Sequence, residues 1–365
     1  MKIAIIGTRG IPNRYGGFEQ FTSRIAPMLA GEGHRVYVYN SSTNGYPYSV
    51  YKQVQIITKY DPHRVLGTLS QFIYDLLCIW DSRHRDFDLI LQLGYTSSSI
   101  WGFLLPADAL LVTHMDGLEW KRAKYNALSR RFLRSAEKWA VSRSDLIIAD
   151  AKAIGRYLSA RFGKQALFIP YGAEIPSRSA TDVLDLFGLK PFGYNLVIAR
   201  FEPENNLEMI IRGHLEASLP EPLILIGNAE NAFGRRLVKR YRHPHIVFKG
   251  AMYHQAVLDS LRHFSNLYFH GHSVGGTNPS LLEAMASGCL IVAHDNEFNH
   301  EVLGRDAYYF NEAKQIARLL SLRPRKSDHT DLMDRNLQKI NNFYHWDNIL
   351  TLIKTNILDR YAYRL

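Results

Sequence analysis

Cysteine is almost missing from this chain: 365 residues hold only Cys78 and Cys289. Both sit in apolar surroundings, DLLCIW and SGCLIVA, without metal-ligand spacing. That favours two buried thiols in a reducing, cytoplasmic compartment over a disulfide or zinc site. Long apolar runs are missing too. No stretch approaches the roughly eighteen residues of a membrane span, so any membrane contact is expected to be peripheral. The opening MKIAIIGTRGIP reaches glycine before a secretory core is complete and has no small-residue cleavage site; it reads as a strand, not a leader. The patterns C-x-x-C and the P-loop are absent, as are short repeats and low-complexity tracts.

Acidic residues are in deficit: Lys and Arg number 44 against 34 Asp and Glu, for a formal charge of +10 and a pI near 9.4. Such a balance favours anionic partners such as nucleotides, nucleic acid or acidic lipid, with plain solubility as the other reading. Hydrophobic residues at 46% and charged residues at 21% are globular values, and the length predicts two domains of roughly 150 to 200 residues.

Short β-branched runs alternate with helical patterns. KIAIIG (2–7), HRVYVYN (34–40), DLILQLG (88–94), ALLVTH (109–114) and DLIIAD (145–150) come first. A turn-rich linker near 172–190 follows, and then YNLVIAR (194–200), PLILIGN (222–228), HIVFKG (245–250), NLYFHG (266–271) and CLIVAH (289–294). Continuous apolar strands separated by helices imply parallel sheets covered on both faces, hence two doubly wound Rossmann-like domains, expected at 1–175 and 176–345. Past 305 the strands fade, and 346–365 is expected to close the chain as an amphipathic helix. Tandem domains of this kind normally bind ligands in a cleft at the carboxyl ends of their strands.

GHSVGGTNPSLLEAMASG (271–288) carries the strongest signal. Pro279 suits a first helical turn and Asn278 or Thr277 its cap, so free N–H groups are expected to face the loop and favour an anion. Gly275 and Gly276 permit close approach of a ligand to the backbone. Glu283, one turn on, either accepts hydrogen bonds from a vicinal diol such as ribose beside a diphosphate, or only complements the helix dipole.

This segment resembles the nucleotide-binding region of retaining GT-B glycosyltransferases of family four. Glu283 matches the second glutamate of that family's Glu-x7-Glu pair, the one that holds ribose. The first falls at Gly275 and is missing, which leaves the sugar contacts open. GGTNPSLLEAM is itself similar to a bacterial subgroup of rhamnosyltransferases and relatives that build cell-surface polysaccharide. The opening GTRGIPNRYGGFEQF resembles the same subgroup. Read from its residues alone, it is a strand ending at Gly7, a Gly/Pro loop, and a helix from about Gly17 with Glu19 in its first turn. Gly7, Gly10, Gly16 and Gly17 do not have dinucleotide-fingerprint spacing, which leaves NAD binding as the weaker reading. The resemblance places Gly16 and Gly17 against the donor phosphate and the acceptor side. Arg9 and Arg14 either add charge there or are merely solvated.

In VIARFEPENN (197–206), Arg200 ends a strand, where its forked donors suit a diphosphate. Asn205 stands where family members commonly carry lysine. Lys249, ending HIVFKG, is either a further phosphate contact or a surface lysine. In LLVTHMDGLEWKR (110–122), the resemblance implies a histidine or acid beside the transferred sugar, with His114 and Asp116 the candidate catalytic residues. The alternatives are a satisfied strand-end histidine and a turn aspartate. PYGAEIP (170–176) reads as a hinge. The only Asp-x-Asp, Asp86 to Asp88, precedes a strand, so no metal site and no cofactor are expected. The stretch 120–145 places Lys121, Arg122, Lys124, Arg130, Arg131, Arg134 and Lys138 among Trp120, Leu128, Phe132, Leu133 and Trp139. It is either a solvated helix face or a face for an anionic membrane.

The expected reaction transfers a sugar, with retention, from a nucleoside diphosphate donor to a saccharide acceptor, in all expectation lipid-linked, at the inner face of the cell membrane. dTDP-rhamnose is the first donor expected and a UDP-hexose the second. A GT-B-fold epimerase or phosphorylase, and a non-enzymatic basic module for membrane or nucleic acid, are the competing readings. Nucleic acid is not an expected partner of the transferase.

Overall fold

The computed structural model describes every residue except 15, 116, 123, 124, 178 and 363–365, and all but the side chain of residue 362. Two compact units emerge: Met1–Tyr171 together with Trp346–Leu365, and Gly172–His345.

The first unit holds β1 (Lys2–Ile6), β2 (Arg35–Ser41), β3 (Val50–Tyr51), β4 (Val54–Lys59), β5 (Leu89–Leu93), β6 (Leu110–Met115), β7 (Leu146–Ala149) and β8 (Leu167–Phe168). They form one sheet in the order β3-β4-β2-β1-β5-β6-β7-β8, parallel apart from the β3–β4 hairpin. Ile3 pairs with both Val36 and Leu89, so β1 is the strand at which the order reverses. β1, β5 and β6 are apolar along almost their whole length and buried on both faces, the pattern of a covered parallel sheet. The helix Gly17–Gly31 turns Phe21, Ile25, Ala26 and Leu29 inward at helical spacing.

The second unit holds β9 (Asn195–Ile198), β10 (Leu223–Ile226), β11 (Ile246–Phe248), β12 (Leu267–His270), β13 (Ile291–His294) and β14 (Tyr308–Phe310). Their order, β11-β10-β9-β12-β13-β14, is parallel throughout and reverses at β9. Val197, Phe201, Leu225, Phe269, Val292 and Ile316 form its core. Each such side chain contributes about 1.5–3 kcal/mol on burial.

All ten expected strands form, and four others join them. β14 corrects the expectation that strands end by 305: Tyr308–Phe310 is too short to alternate visibly, and pairing with β13 makes it a strand. β3 and β4 meet in a turn whose Lys52 and Gln53 have φ of 46° and 67°, a hairpin without the usual Asn or Gly signal. The terminal helix forms from Trp346 onward with a π turn at Lys354–Leu358. It packs in the first unit, with Trp346 edge-on to Phe21 and Lys354 paired to Glu32 at 2.6 Å. The two ends of the second unit are tied by Ala173 N–H to the Tyr344 carbonyl at 2.8 Å, inside the PYGAEIP segment. Both cysteines are free and buried; burial raises the Cys78 thiol pKa and pushes that of Cys289 up to about 11.

Candidate nucleotide site

In the second unit, the segments leaving β9 and β12 lie on either side of the point where the strand order reverses, the place where open parallel sheets bind ligands. These segments are residues 199–206 and 271–278, two of the stretches singled out by sequence. They are laced together. Ser273 donates to the Glu204 carbonyl from its N–H at 3.0 Å and from its hydroxyl at 2.9 Å, and Asn206 Nδ2 donates to the Gly271 carbonyl at 2.8 Å. A Cβ on Gly271 would stand 2.0 Å from the Asn205 carbonyl oxygen, so the approach requires glycine there.

The helix Pro279–Ala286 begins as expected, with Pro279 first and Asn278 as cap. Its first turn, however, is not a set of free donors. Asn278 Oδ1 accepts from Ser280 N–H at 2.9 Å, the Asn278 carbonyl accepts from Leu281 and Leu282, and proline has no N–H. The cap that starts the helix consumes the donors expected for an anion. The loop is what remains to offer donors, and there Gly275 adopts φ 122° with open space where a Cβ would stand, and Gly276 follows it. Thr277 is buried beneath. Ser280 Oγ meets Tyr268 Oη at 2.7 Å and donates to the Ile198 carbonyl at 3.2 Å, fixing the helix start to the end of β9.

Glu283 has a partner that sequence did not reveal. Arg262, 1% exposed, donates Nη2 to Glu283 Oε2 and pairs through Nη1 with Asp259 Oδ1 at 3.0 Å. Burial opposes the charge on Arg262, yet Glu283 and Asp259 hold the guanidinium pKa above its ordinary value. Burial raises the Asp259 carboxyl. The pairing orients Glu283 and leaves its other carboxyl oxygen as a candidate acceptor for a diol. In sequence, LDSLRHF gives Arg262 no mark beyond a helical pattern.

Arg200 is exposed at the end of its strand, as a phosphate contact requires. Asn205 is 1% exposed; its Nδ2 donates to the Arg200 carbonyl at 2.6 Å, so it shapes the turn and does not face a ligand. That corrects its expected donor contact, because a short amide folds back where a long ammonium would extend. Lys249 is corrected as well. It ends β11, two strands from β9 and so about 10 Å across the sheet, and its ammonium lies 5.7 Å from the Phe187 ring centre. Glu204 was missed: it is 8% exposed, and neither carboxylate oxygen accepts a hydrogen bond from a described residue. A buried carboxyl group without partners is costly, and the carbonyl of the same residue accepts from Ser273 in the loop that carries Gly275 and Gly276.

In the first unit, the loop after β1 is held by its own sequence. Gly16 caps the helix Gly17–Gly31 at φ 131° and ψ 153°, and a Cβ there would stand 1.9 Å from Glu19 Oε2. Glu19 Oε1 accepts from Arg9 N–H at 2.8 Å and from the Thr8 hydroxyl at 3.2 Å. Asn40, at the end of β2, accepts from Ile11 N–H at 3.0 Å and donates to the Ile11 carbonyl at 2.7 Å. Gly17 packs against Tyr171, whose hydroxyl would lie 3.3 Å from an added Cβ. Arg9 and Arg14 are exposed.

His114 does not stand where a catalytic group would. It is fully buried inside β6, and neither ring nitrogen bonds to a described residue. Phe18, Phe21 and Tyr171 surround it at ring distances of 5.4, 5.5 and 5.8 Å. Burial pushes its pKa down to about 3, so the ring is neutral. Its place inside the strand, pointing into the core, is a packing outcome that a strand-end pattern does not show. Asp116 lies outside the described residues. Asp88 accepts from Lys2 N–H at 2.6 Å and thereby fixes the start of β1.

Among family descriptions, a domain of unknown function, DUF1972, matches residues 104–174, a segment that includes His114 and the basic helix Ala127–Arg143. No curated protein matches the chain. Solved structures do match. Sucrose-phosphate synthase from Thermosynechococcus elongatus superposes with a TM-score of 0.83 at 17% identity, over 99% of each chain. Anabaena HepE in complex with UDP-glucose gives 0.75 at 16% identity, over 98% of this chain and 99% of that one. The E. coli trehalose-6-phosphate protein bound with UDP-2-fluoro glucose gives 0.71 at 12%, over 99% and 98%. The fold is therefore that of the GT-B class, two Rossmann-like units with parallel sheets.

Proposed function

We propose that the protein is a glycosyltransferase that moves a sugar from a nucleoside diphosphate donor to a saccharide acceptor. The observation that carries this reading is the construction at the strand-order reversal of the second unit. A glycine loop, an exposed arginine and an arginine-held glutamate follow the carboxyl ends of adjacent strands. That set offers loop N–H groups and Arg200 to a diphosphate and Glu283 to a ribose diol. Likeness of fold to proteins solved with UDP-glucose and UDP-2-fluoro glucose supports the nucleotide class.

The chemistry follows from the charges. Breaking the bond between sugar and diphosphate leaves negative charge on the departing phosphate, and donors already aimed at it lower the barrier. Arg200 supplies a forked cation for that charge. Retention is proposed through same-face attack, with the leaving phosphate taking the acceptor proton; no metal or resident cofactor is called for. Resemblance to the rhamnosyltransferase-like subgroup of family four supports dTDP-rhamnose as first donor and a UDP-hexose as second, in cell-surface polysaccharide synthesis.

The acceptor is proposed to be lipid-linked and the protein peripheral on the inner face of the cell membrane. The helix Ala127–Arg143 supports this: Leu128 is 79% and Trp139 41% exposed beside exposed Arg130, Arg131, Arg134 and Lys138. Part of the stretch is structural, since Arg134 lies 4.4 Å over the Trp120 ring and Arg122 pairs with Glu119 at 2.6 Å. No helix among the described residues is long and apolar enough to cross a membrane.

Thermal unfolding with dTDP, UDP, GDP, ADP and NAD tests the reading. Ligand at a hundred times its dissociation constant adds about 2.7 kcal/mol. Stabilisation by dTDP or UDP that weakens at least tenfold in Glu283→Ala is expected. A response to NAD alone overturns the reading.

A further inference from the structure

The second unit has another cavity, at the opposite edge of its sheet from the loops just described. Its volume is about 530 Å³, within the range of small-molecule sites. It lies at the amino ends of β9 and β12, where Asn195 begins one strand and Asn266 precedes the other. One wall is apolar, formed by Phe192, Leu219, Leu320 and Met333.

The other wall is cationic. Arg323, Arg325 and Lys326 line the cavity against a single acid, Glu221, a formal balance of three positive charges to one negative. Both arginines are exposed, whereas Lys326 is 7% exposed. Its ammonium donates to the His263 carbonyl and lies 5.7 Å from the Phe192 ring centre. An ammonium has three N–H donors, and burial lowers the pKa of this one, so its charge is held at a cost. Asn195 is 2% exposed, and its Oδ1 accepts no hydrogen bond from any described residue. The wall is built in place: Asn266 Oδ1 accepts from Lys326 N–H at 3.0 Å, and its Nδ2 donates to the Pro324 carbonyl at 2.9 Å.

A buried cation with donors to spare and a buried amide oxygen without a donor belong to residues that line one cavity together with an apolar wall, and such a set has a complement. We propose that this cavity binds a small organic anion: a carboxylate or phosphate monoester on an aromatic frame that also carries a hydroxyl. The anionic head meets Lys326, Arg323 and Arg325, the frame lies on Phe192 and Leu320, and the hydroxyl donates to Asn195 Oδ1. The site is separate from the nucleotide loops and does not rest on the glycosyltransferase reading.

Isothermal titration of the full chain with 4-hydroxybenzoate and with 4-hydroxyphenyl phosphate tests it and tells the two heads apart. Saturable one-site binding of either is expected, retained in Glu283→Ala and weakened at least tenfold in Arg323→Glu/Arg325→Glu. Those arginines are exposed, so the variant is expected to keep the wild-type melting temperature. Asn195→Asp places a second negative charge in the cavity and is expected to weaken binding further. Absence of saturable binding by both probes, or binding unchanged in the arginine variant, overturns the proposal. So does inorganic phosphate binding as tightly as 4-hydroxyphenyl phosphate, because the apolar wall then contributes nothing.

Discussion

Replacing Arg262 by methionine probes the hidden support of the candidate nucleotide site. Methionine nearly fills the space but carries no charge, so the carboxylates of Asp259 and Glu283, 12% and 16% exposed, lose their shared cation together. Breaking a buried ion pair by removing one partner costs about 3–5 kcal/mol. In a domain the size of the second unit, each kcal/mol moves the melting temperature by roughly 2–4 °C, so a fall of roughly 6–20 °C is expected. The loss has a pH signature. Burial already raises the Asp259 carboxyl, and removing Arg262 raises it further. A carboxyl whose folded pKa lies above its unfolded value binds more protons when folded, so stability falls as pH rises through that window. The deficit of Arg262→Met is therefore expected to shrink from pH 8 to pH 5 in calorimetry. Adding Asp259→Asn and Glu283→Gln removes the stranded charges and is expected to recover most of the loss. A melting shift under 2 °C at pH 7, or no recovery in the triple variant, refutes the reasoning.

Three further outcomes follow from the first unit. Gly16→Ala forces an alanine into a glycine-only backbone region with its Cβ on Glu19; a loss of about 1–3 kcal/mol is expected in urea unfolding. Asn40→Ala removes both bonds to Ile11 and leaves a buried N–H and carbonyl unpaired, about 2 kcal/mol by the same assay, with faster amide exchange at Ile11. Histidines unfolded take up a proton near pH 6.5, whereas folded His114 does so near 3. Between those values the unfolded chain binds more protons, so stability falls as pH drops from 6.5. His114→Leu is expected to flatten that fall, and an unchanged slope between pH 7 and pH 5 counts against a neutral, buried ring.

Residues differ in how far their roles could be read from neighbours in sequence. Pro279 and Asn278 were legible as a helix start because capping depends on the three or four residues that follow. Gly16 and Glu19 were legible as a loop entering a helix for the same reason. The ten strands were legible because covered parallel strands are continuously apolar, whatever lies beside them. The hairpin at Lys52 and Gln53 was not, since its left-handed residues carry side chains that usually avoid that region.

What the chain determined by itself is thus the local grammar: where strands end in glycine, where helices begin, and which side chains leave the carboxyl ends of strands. Only tertiary structure decided which of those side chains meet. It set Arg262 under Glu283 from a helix twenty-one residues earlier, enclosed His114 between rings from two other segments, and turned Lys249 onto Phe187. It also gathered Asn195, Lys326 and Phe192 around one cavity. The physical reason is common to all four. Charge and aromatic pairing act through a few ångströms of space, and the sheet order that makes those ångströms short is a property of the whole unit.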